Sequence, residues 1–131
     1  MRPLQVLMAT GEEQDAEAVF RPAIEQGGHF FKIMNPWGSE EEFLEEVKRG
    51  KYDVIMFTNL CFPLDLAIRL IAPCRNAGNT NVIVVSSCVD EEIISRALRE
   101  GAVAFYPLPF PYKHILGAVE AAAEGAVIIK R

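Results

Sequence analysis

Three cysteines and two histidines are the residues of this sequence best suited to thiol chemistry or to metal ligation through sulfur and imidazole nitrogen. Cys61, Cys74 and Cys88 are odd in number and show no CxxC spacing, so neither a disulfide framework nor a thiolate metal site is predicted. Cys61 and Cys88 follow neighbouring predicted strands, which leaves a thiol redox sensor as a hypothesis, but no cation is evidently placed to activate them. We expect reduced thiols packed as small apolar side chains. His29 and His114 lie on different predicted elements and form no ligand pair.

Carboxylates are concentrated in several short stretches. Glu12 and Glu13 follow the first predicted strand, where we expect them to stabilise a helix N-terminus rather than hold a cation. Asp65 is expected at a helix cap or in a first turn. Another stretch lies on a predicted helix, and we expect its glutamates to form a solvated face of that helix: Glu40, Glu41, Glu42, Glu45 and Glu46. No nucleophile–base pair and no glycine-rich phosphate loop is recognisable, so an enzyme is not predicted.

The composition favours one globular domain without nucleic-acid or membrane contacts. A chain of 131 residues with 50% apolar and 24% charged residues has a size and balance typical of a single folded domain. The net charge is -5 and the basic residues are scattered, which disfavours a surface that binds a phosphate backbone. The N-terminal residues do not resemble a signal peptide, and no apolar run is long enough for a bilayer. We therefore expect a cytoplasmic protein.

Along the chain, sequence patterns typical of strands alternate with patterns typical of helices, and the predicted elements position the residues named above. Short apolar runs predict strands at Leu4–Ala9, Phe30–Met34, Asp53–Thr58, Val82–Val85 and Ala102–Tyr106. Helical spacing and capping signals predict helices, with their caps, at Glu12–Gln26, Ser39–Gly50, Leu64–Ala77, Asp90–Gly101 and Pro111–Ala123. Pro22 is expected to bend or break the first helix. Strands that are apolar throughout indicate a parallel sheet with helices on both faces, which is a doubly wound α/β fold.

Two segments of the chain resemble the response-regulator receiver family. Residues 82–110, VIVVSSCVDEEIISRALREGAVAFYPLPF, are similar to the second half of a receiver: a strand ending in Ser or Thr, a helix ending Ala-Leu-x-x-Gly-Ala, an aromatic residue and a Pro-Phe pair. Residues 53–63, DVIMFTNLCFP, are similar to the third strand of the family and its proline-bearing loop. The resemblance extends over essentially the whole chain. It implies a five-stranded, flavodoxin-like sheet in the order 2-1-3-4-5.

The resemblance also implies where phosphoryl chemistry would lie. Receivers use an aspartate as nucleophile toward a phosphodonor, and acidic residues after the first strand hold a divalent cation. The acceptor position falls on Thr58 or Asn59, and neither side chain can form an acyl phosphate. The acidic pair falls on Thr10 and Gly11 or on Gly11 and Glu12, so at most one hard carboxylate ligand for magnesium remains.

Two further positions complete the implied site. The family's lysine is replaced by Leu108, whereas the hydroxyl that contacts the phosphoryl group is retained as Ser86. Phe105 occupies the position of the family's switch aromatic residue, and we expect its ring to pack on the sheet or on a partner. The sequence therefore predicts a receiver-like domain that has lost the acceptor aspartate, the acidic pair and the lysine, with no cofactor and no bound Mg²⁺.

Such a domain is expected to act through protein contacts, with a signalling kinase, an effector or a second copy as partner. The resemblance places a candidate dimer face on the fourth helix, fifth strand and fifth helix, with candidate contacts at Arg96, Arg99, Phe105 and Tyr112. The domain is assigned to residues 1–125, and residues 126–131 form an apolar tail that needs cover from the same chain or from another.

Two alternatives remain open from the sequence. One is a phosphorylatable receiver with a displaced acidic residue. The other is a flavodoxin-like module that binds a small molecule such as cobalamin, since residues 75–78 read Arg-x-Ala-Gly as in the cobalamin-binding family. That family also carries an Asp-x-His-x-x-Gly motif after its first strand, and residues 10–14 do not contain it.

Overall fold

The computed structural model describes residues 2–11, 14, 16–36, 38–58, 64–78, 80–86, 90–107, 114–124 and 128–129. The strands are β1 (Gln5–Ala9), β2 (Phe30–Met34), β3 (Val54–Thr58), β4 (Asn81–Ser86), β5 (Ala104–Pro107) and β6 (Ile128–Ile129). A π-helical turn (Ala16–Phe20) leads into α1 (Arg21–Glu25), followed by α2 (Glu40–Gly50), α3 (Leu64–Gly78), α4 (Glu91–Glu100) and α5 (Ile115–Ala123).

All six strands are parallel and pair in the order β2-β1-β3-β4-β5-β6. The predicted order 2-1-3-4-5 is confirmed. The sixth strand was not predicted as an element. It belongs to the apolar tail, whose Ile128 and Ile129 pair with Ala104 and Phe105 of β5. The described part of the tail, Ile128 and Ile129, therefore pairs within the same chain.

Two apolar cores lie on opposite faces of the sheet, because successive side chains of a strand point to opposite sides. On one face Phe57 packs with Phe43 of α2, and this cluster also includes residues of α3 and α4. On the other face Met56 belongs to a cluster with Ile24 of α1 and Ile115 of α5. Strands with helices on both sides are buried throughout, which explains why β3 carries no alternating polar residues.

The helix boundaries follow from capping chemistry. The hydroxyl of Ser39 accepts a hydrogen bond of 3.2 Å from the Glu42 amide, and the Asp90 carboxylate accepts one of 2.8 Å from the Glu92 amide. Both predicted N-caps are confirmed. Gly101 ends α4 with φ of 115°, a left-handed conformation that glycine adopts without a steric penalty.

The first helix differs from the continuous helix predicted over Glu12–Gln26. A π-helical turn precedes α1, and Pro22 lies in the first turn of α1. Proline has no amide hydrogen to donate, and the regular α-helical pattern begins only beside it, after the π-helical turn. None of the helices in the described ranges is long and apolar enough to cross a membrane.

Glu46 is the exception on the acidic helix, and the prediction that it is solvated is wrong. Its side chain is only 7% exposed and accepts a 2.7 Å hydrogen bond from the Tyr52 hydroxyl. Lys32 lies 3.2 Å away on β2, and Arg49 is a further ion-pair partner. Hydrogen bonds from Tyr52 and Arg49 outweigh burial and lower the pKa of Glu46 to about 2. This carboxylate thus joins α2 to β2 and to the turn before β3.

We predict that Glu46→Gln lowers the free energy of unfolding at pH 7 by about 2 kcal/mol, because hydrogen bonds to a charged group are the stronger class. The native pKa lies below the ordinary value of 4.5, so the contribution is present above pH 4.5 and is lost as the pH falls toward 2. Urea unfolding at pH 7 and pH 3 measures both effects. The exposed Glu45→Gln is the control, expected within about 0.5 kcal/mol of wild type. An equal loss in both variants would contradict the assignment.

Candidate functional site

The carboxyl ends of β1, β3 and β4 carry three hydroxyl side chains. Thr10 directly follows β1, and its amide donates a 3.1 Å hydrogen bond to the Met34 carbonyl. Ala9 is paired with Phe57, so Thr10 lies next to Thr58, the last residue of β3. Ser86 ends β4 on the other side of β3. Three of the positions predicted from the sequence are therefore brought together at one edge of the sheet.

These hydroxyls are almost fully enclosed. Thr10 is 2% exposed, Thr58 is 3% exposed and Ser86 is completely buried. Neutral hydroxyls are poor ligands for Mg²⁺, which binds hard anionic oxygens, and they do not form acyl phosphates. The described side chains at these strand ends therefore do not fit a magnesium ion. Across the described ranges no group of three or more His, Cys, Asp and Glu residues is arranged to hold a metal.

A small depression opens beside Thr10. It has a volume of 270 Å³ and is lined by Thr10, Gly11, Ile33, Met34 and Asn35, at the carboxyl ends of β1 and β2. Pockets that bind drug-sized molecules or cofactors have volumes of about 300–1,000 Å³. The depression lies below that range, and its lining carries no charged side chain.

Several of the predicted positions lie outside the described residues. They are Glu12, Asn59, Leu108 and Tyr112 of the receiver-like site and the candidate dimer face, and Cys61 and Cys88 of the redox hypothesis. Cys74 is described and buried, and burial raises the pKa of its thiol to about 12. The thiolate is the reactive species of cysteine, so we expect Cys74 to be unreactive and to serve as a packing residue of the core.

The candidate dimer face needs a correction at its centre. Phe105 is completely buried and belongs to the core between the sheet and α2, α3 and α4. Its ring therefore packs within the domain and is not a surface contact. The backbone of β6 also covers the outer edge of β5 at this point. Arg99 is exposed on α4 and Arg96 is half-buried, so among the described residues of the predicted face the side chain of Arg99 lies at the surface.

A buried polar network lies at the opposite, amino-terminal ends of the strands. The Leu4 amide donates a 3.0 Å hydrogen bond to Nδ1 of His29, so Nδ1 is an acceptor. The proton is then on Nε2, which lies 2.9 Å from the Glu120 carboxylate of α5. The imidazole is 2% exposed. His29 thus joins β1, β2 and α5 in a single tautomer, and both of its nitrogens are occupied.

Asp53 continues this network at the start of β3. Its carboxylate accepts a 2.8 Å hydrogen bond from the Gln5 amide and pairs with Arg2. Burial raises the pKa of Asp53, but the hydrogen bonds from Arg2 and Gln5 outweigh it and the pKa is lowered. Sequence reasoning missed this network because its members are distant along the chain. The only local signal was a polar residue directly before an apolar strand.

Comparisons with known proteins agree with this architecture. No family model matches the chain, and no curated protein matches its sequence. Among solved structures, a CheY-like response regulator receiver domain protein from Methanospirillum hungatei superposes with a TM-score of 0.78 at 15% identity, covering 95% of this chain and 96% of that one. The beryllofluoride-activated NtrC4 receiver domain dimer gives a TM-score of 0.77 at 20% identity, covering 92% and 97%.

A response regulator from Burkholderia pseudomallei with a phosphorylated aspartic acid and a calcium ion gives a TM-score of 0.75 at 20% identity, covering 93% of this chain and 69% of that one. These structures define the class: the chain has the fold of response-regulator receiver domains. At these identities the likeness concerns the fold, and the chemistry must be argued from the residues of this chain.

We predict that His29→Phe lowers the free energy of unfolding by about 2 kcal/mol, since two hydrogen bonds are lost and the Leu4 amide is left buried. Glu120→Gln retains an acceptor for Nε2 and is expected to cost less than about 1 kcal/mol. Urea unfolding of both variants at pH 7 gives the comparison. If His29→Phe is no less stable than Glu120→Gln, the histidine is not the link between these elements.

Proposed function

We propose that this protein is a signalling module of the receiver fold that lacks phosphoryl transfer and acts through contacts with another protein. The observation that carries the proposal is the type of side chain at the carboxyl ends of the strands. Where receiver chemistry requires carboxylates, Thr10 follows β1 and Thr58 ends β3. Leu108 replaces the lysine in the sequence, Ser86 retains the hydroxyl that the chemistry uses, and Glu12 is at most one remaining carboxylate of the acidic pair. The module needs no Mg²⁺, no other cofactor and no catalytic turnover.

We expect no phosphoryl adduct when the protein is incubated with acetyl phosphate and Mg²⁺ and its intact mass is measured. The physical reason is that a threonine hydroxyl does not replace an aspartate carboxylate as the nucleophile. A phosphorylatable receiver domain treated in parallel shows that the reagent is active. A stoichiometric increase corresponding to one phosphoryl group would overturn the proposal and favour a receiver with a displaced acidic residue.

The exposed side of α4 is the surface we propose for the partner. Arg99 lies on it, and the helix ends at Gly101 beside β5. A second copy is the simplest partner, and the NtrC4 neighbour is a dimer. With Phe105 buried and the β5 edge covered by β6, the contact would be made by helix side chains rather than by the sheet.

Arg99→Glu is expected to lower the association constant of the dimer by about tenfold, because an antiparallel pair of α4 helices places residue 99 of one copy near the acidic first turn, Glu91 and Glu92, of the other. Sedimentation velocity over a range of protein concentrations measures this. Lys48→Glu, on the exposed side of α2, makes the same charge change away from the proposed surface and is the matched control. A wild-type protein that remains monomeric at every concentration would contradict the homodimer.

The alternative that this protein is a flavodoxin-like module that binds a small molecule such as cobalamin receives less support. The depression at the β1 and β2 ends has a volume of only 270 Å³. A second depression of 540 Å³ is lined by Met34, Ser39, Glu41, Glu42, Glu45 and Arg49, and this mostly charged lining differs from the mainly apolar walls of cofactor pockets. An absorbance spectrum of the purified protein tests it, since bound cobalamin or flavin would be visible. A cofactor spectrum at stoichiometric amount would replace the present proposal.

A further inference from the structure

β2 forms one edge of the sheet that the described residues build, so within these residues half of its backbone groups have no strand beside them. The Phe30 amide donates to the Leu4 carbonyl of the β1 side, and the Met34 carbonyl accepts from the Thr10 amide. Backbone direction alternates along a strand in a parallel pair, so the peptide groups of Phe31 and Ile33 face outward. Such an edge is a template for another strand unless it is protected.

Arg21 occupies this edge. Its Nη1 donates a 2.9 Å hydrogen bond to the outward carbonyl of Phe31. The guanidinium also lies over the Phe31 ring, with its central carbon 5.2 Å from the ring centroid. One side chain therefore satisfies an edge carbonyl and covers the neighbouring ring.

Two glutamates hold Arg21 in this position. Glu17 accepts from Nε at 2.6 Å and from Nη2 at 3.0 Å, and Glu25 lies 3.6 Å from Nη1. The three residues are spaced by four along the π-helical turn and α1. A planar guanidinium bound at two nitrogens by one carboxylate has few remaining orientations, so it is directed at the strand edge.

We propose that the β2 edge is a latent strand-pairing surface for a second copy of this chain, and that Arg21 keeps it closed. The proposal is independent of phosphoryl chemistry and of the α4 surface. It assigns a role to a side chain that the proposed function does not use.

The choice of a second copy rests on the self-complementarity of β2. An antiparallel pair centred on Lys32 places Phe31 of one copy opposite Ile33 of the other, and these are the residues whose peptide groups face outward. Directly opposite residues of this kind exchange two hydrogen bonds, which gives four across the two-fold axis. Phe30, which is 57% exposed, then lies opposite Met34.

The pair of residues at the centre of this antiparallel arrangement can also be placed without a large electrostatic cost. Lys32 lies opposite Lys32 of the second copy, which would be repulsive for isolated charges. Each ammonium is 3.2 Å from Glu46 of its own chain, and this ion pair offsets the repulsion. The remaining obstacle is Arg21, because the Phe31 carbonyl cannot accept from Arg21 and from the Ile33 amide of the second copy in the same direction.

Arg21→Ala tests the proposal. The variant removes the hydrogen bond from Arg21 to the Phe31 carbonyl, so this carbonyl becomes free to pair with a second copy. We expect the association constant to rise by roughly tenfold. Sedimentation equilibrium measures it, with all variants made in the Arg99→Glu background. Glu17→Gln, which loosens the hold on Arg21, is expected to give a smaller increase. Far-UV circular dichroism establishes that each variant is folded.

Two controls identify the surface. Arg69→Ala removes an arginine that pairs with Glu40 on another part of the molecule, so it makes the same charge change without touching β2. Ile33→Pro removes an outward amide and no bond to β1, and a proline is tolerated on an edge strand. Adding it to Arg21→Ala should restore the self-association of the background.

The proposal is overturned by any of three results with folded variants. The first is self-association of both Arg21→Ala and Glu17→Gln at the level of the background. The second is an increase with Arg69→Ala as large as that with Arg21→Ala, which would indicate an effect of net charge alone. The third is an increase that Ile33→Pro does not reverse, which would place the contact elsewhere.

Discussion

Parallel pairing of every strand is the constraint on which this structure depends. Because the strands run in one direction, each connection must cross the sheet, and the helices then cover both faces. The interior strands β1, β3 and β4 are consequently apolar on both sides. On these interior strands the polar side chains lie at the two ends, and these ends carry different chemistry in this protein.

At the carboxyl ends, side chains that could bear charge are replaced by small hydroxyls. Thr10, Thr58 and Ser86 are buried at this edge. At the amino ends, His29 and Asp53 form hydrogen bonds with backbone amides and ion-pair partners. Among the described residues, the strand ends at which doubly wound proteins bind ligands therefore carry neutral hydroxyls, and the charged network holds strands and α5 together at the opposite ends of the strands. This distribution suits a module whose function lies in its surface rather than in a reaction centre.

The sheet edges are treated differently from one another. At β5 the chain supplies its own sixth strand, whereas at β2 a single arginine covers one carbonyl. A strand partner closes an edge through backbone hydrogen bonds, but a side chain closes it only while its own ion pairs persist. The difference makes β2 the edge at which a small local change would have the larger effect on association.

Much of the fold could be predicted from local patterns. The runs around Val54 and Val82 have the composition of buried strands, and Ser39 and Asp90 have the spacing of N-caps, because these signals act over a few residues. The π-helical turn before Arg21 and the burial of Glu46 were not predicted. In both cases the deciding partners, Phe31 for Arg21 and Tyr52 for Glu46, belong to other elements.

The sequence by itself determined the alternation of strands and helices and the residue types at the ends of the strands. Periodicity, capping and the absence of carboxylates at Thr10 and Thr58 are local properties of the chain. Only the tertiary structure decided that Phe105 is buried, that Ile128 and Ile129 extend the sheet, and that His29 joins α5 to β1. These outcomes depend on contacts between residues far apart in the chain, and such contacts leave no periodic signal in a single sequence.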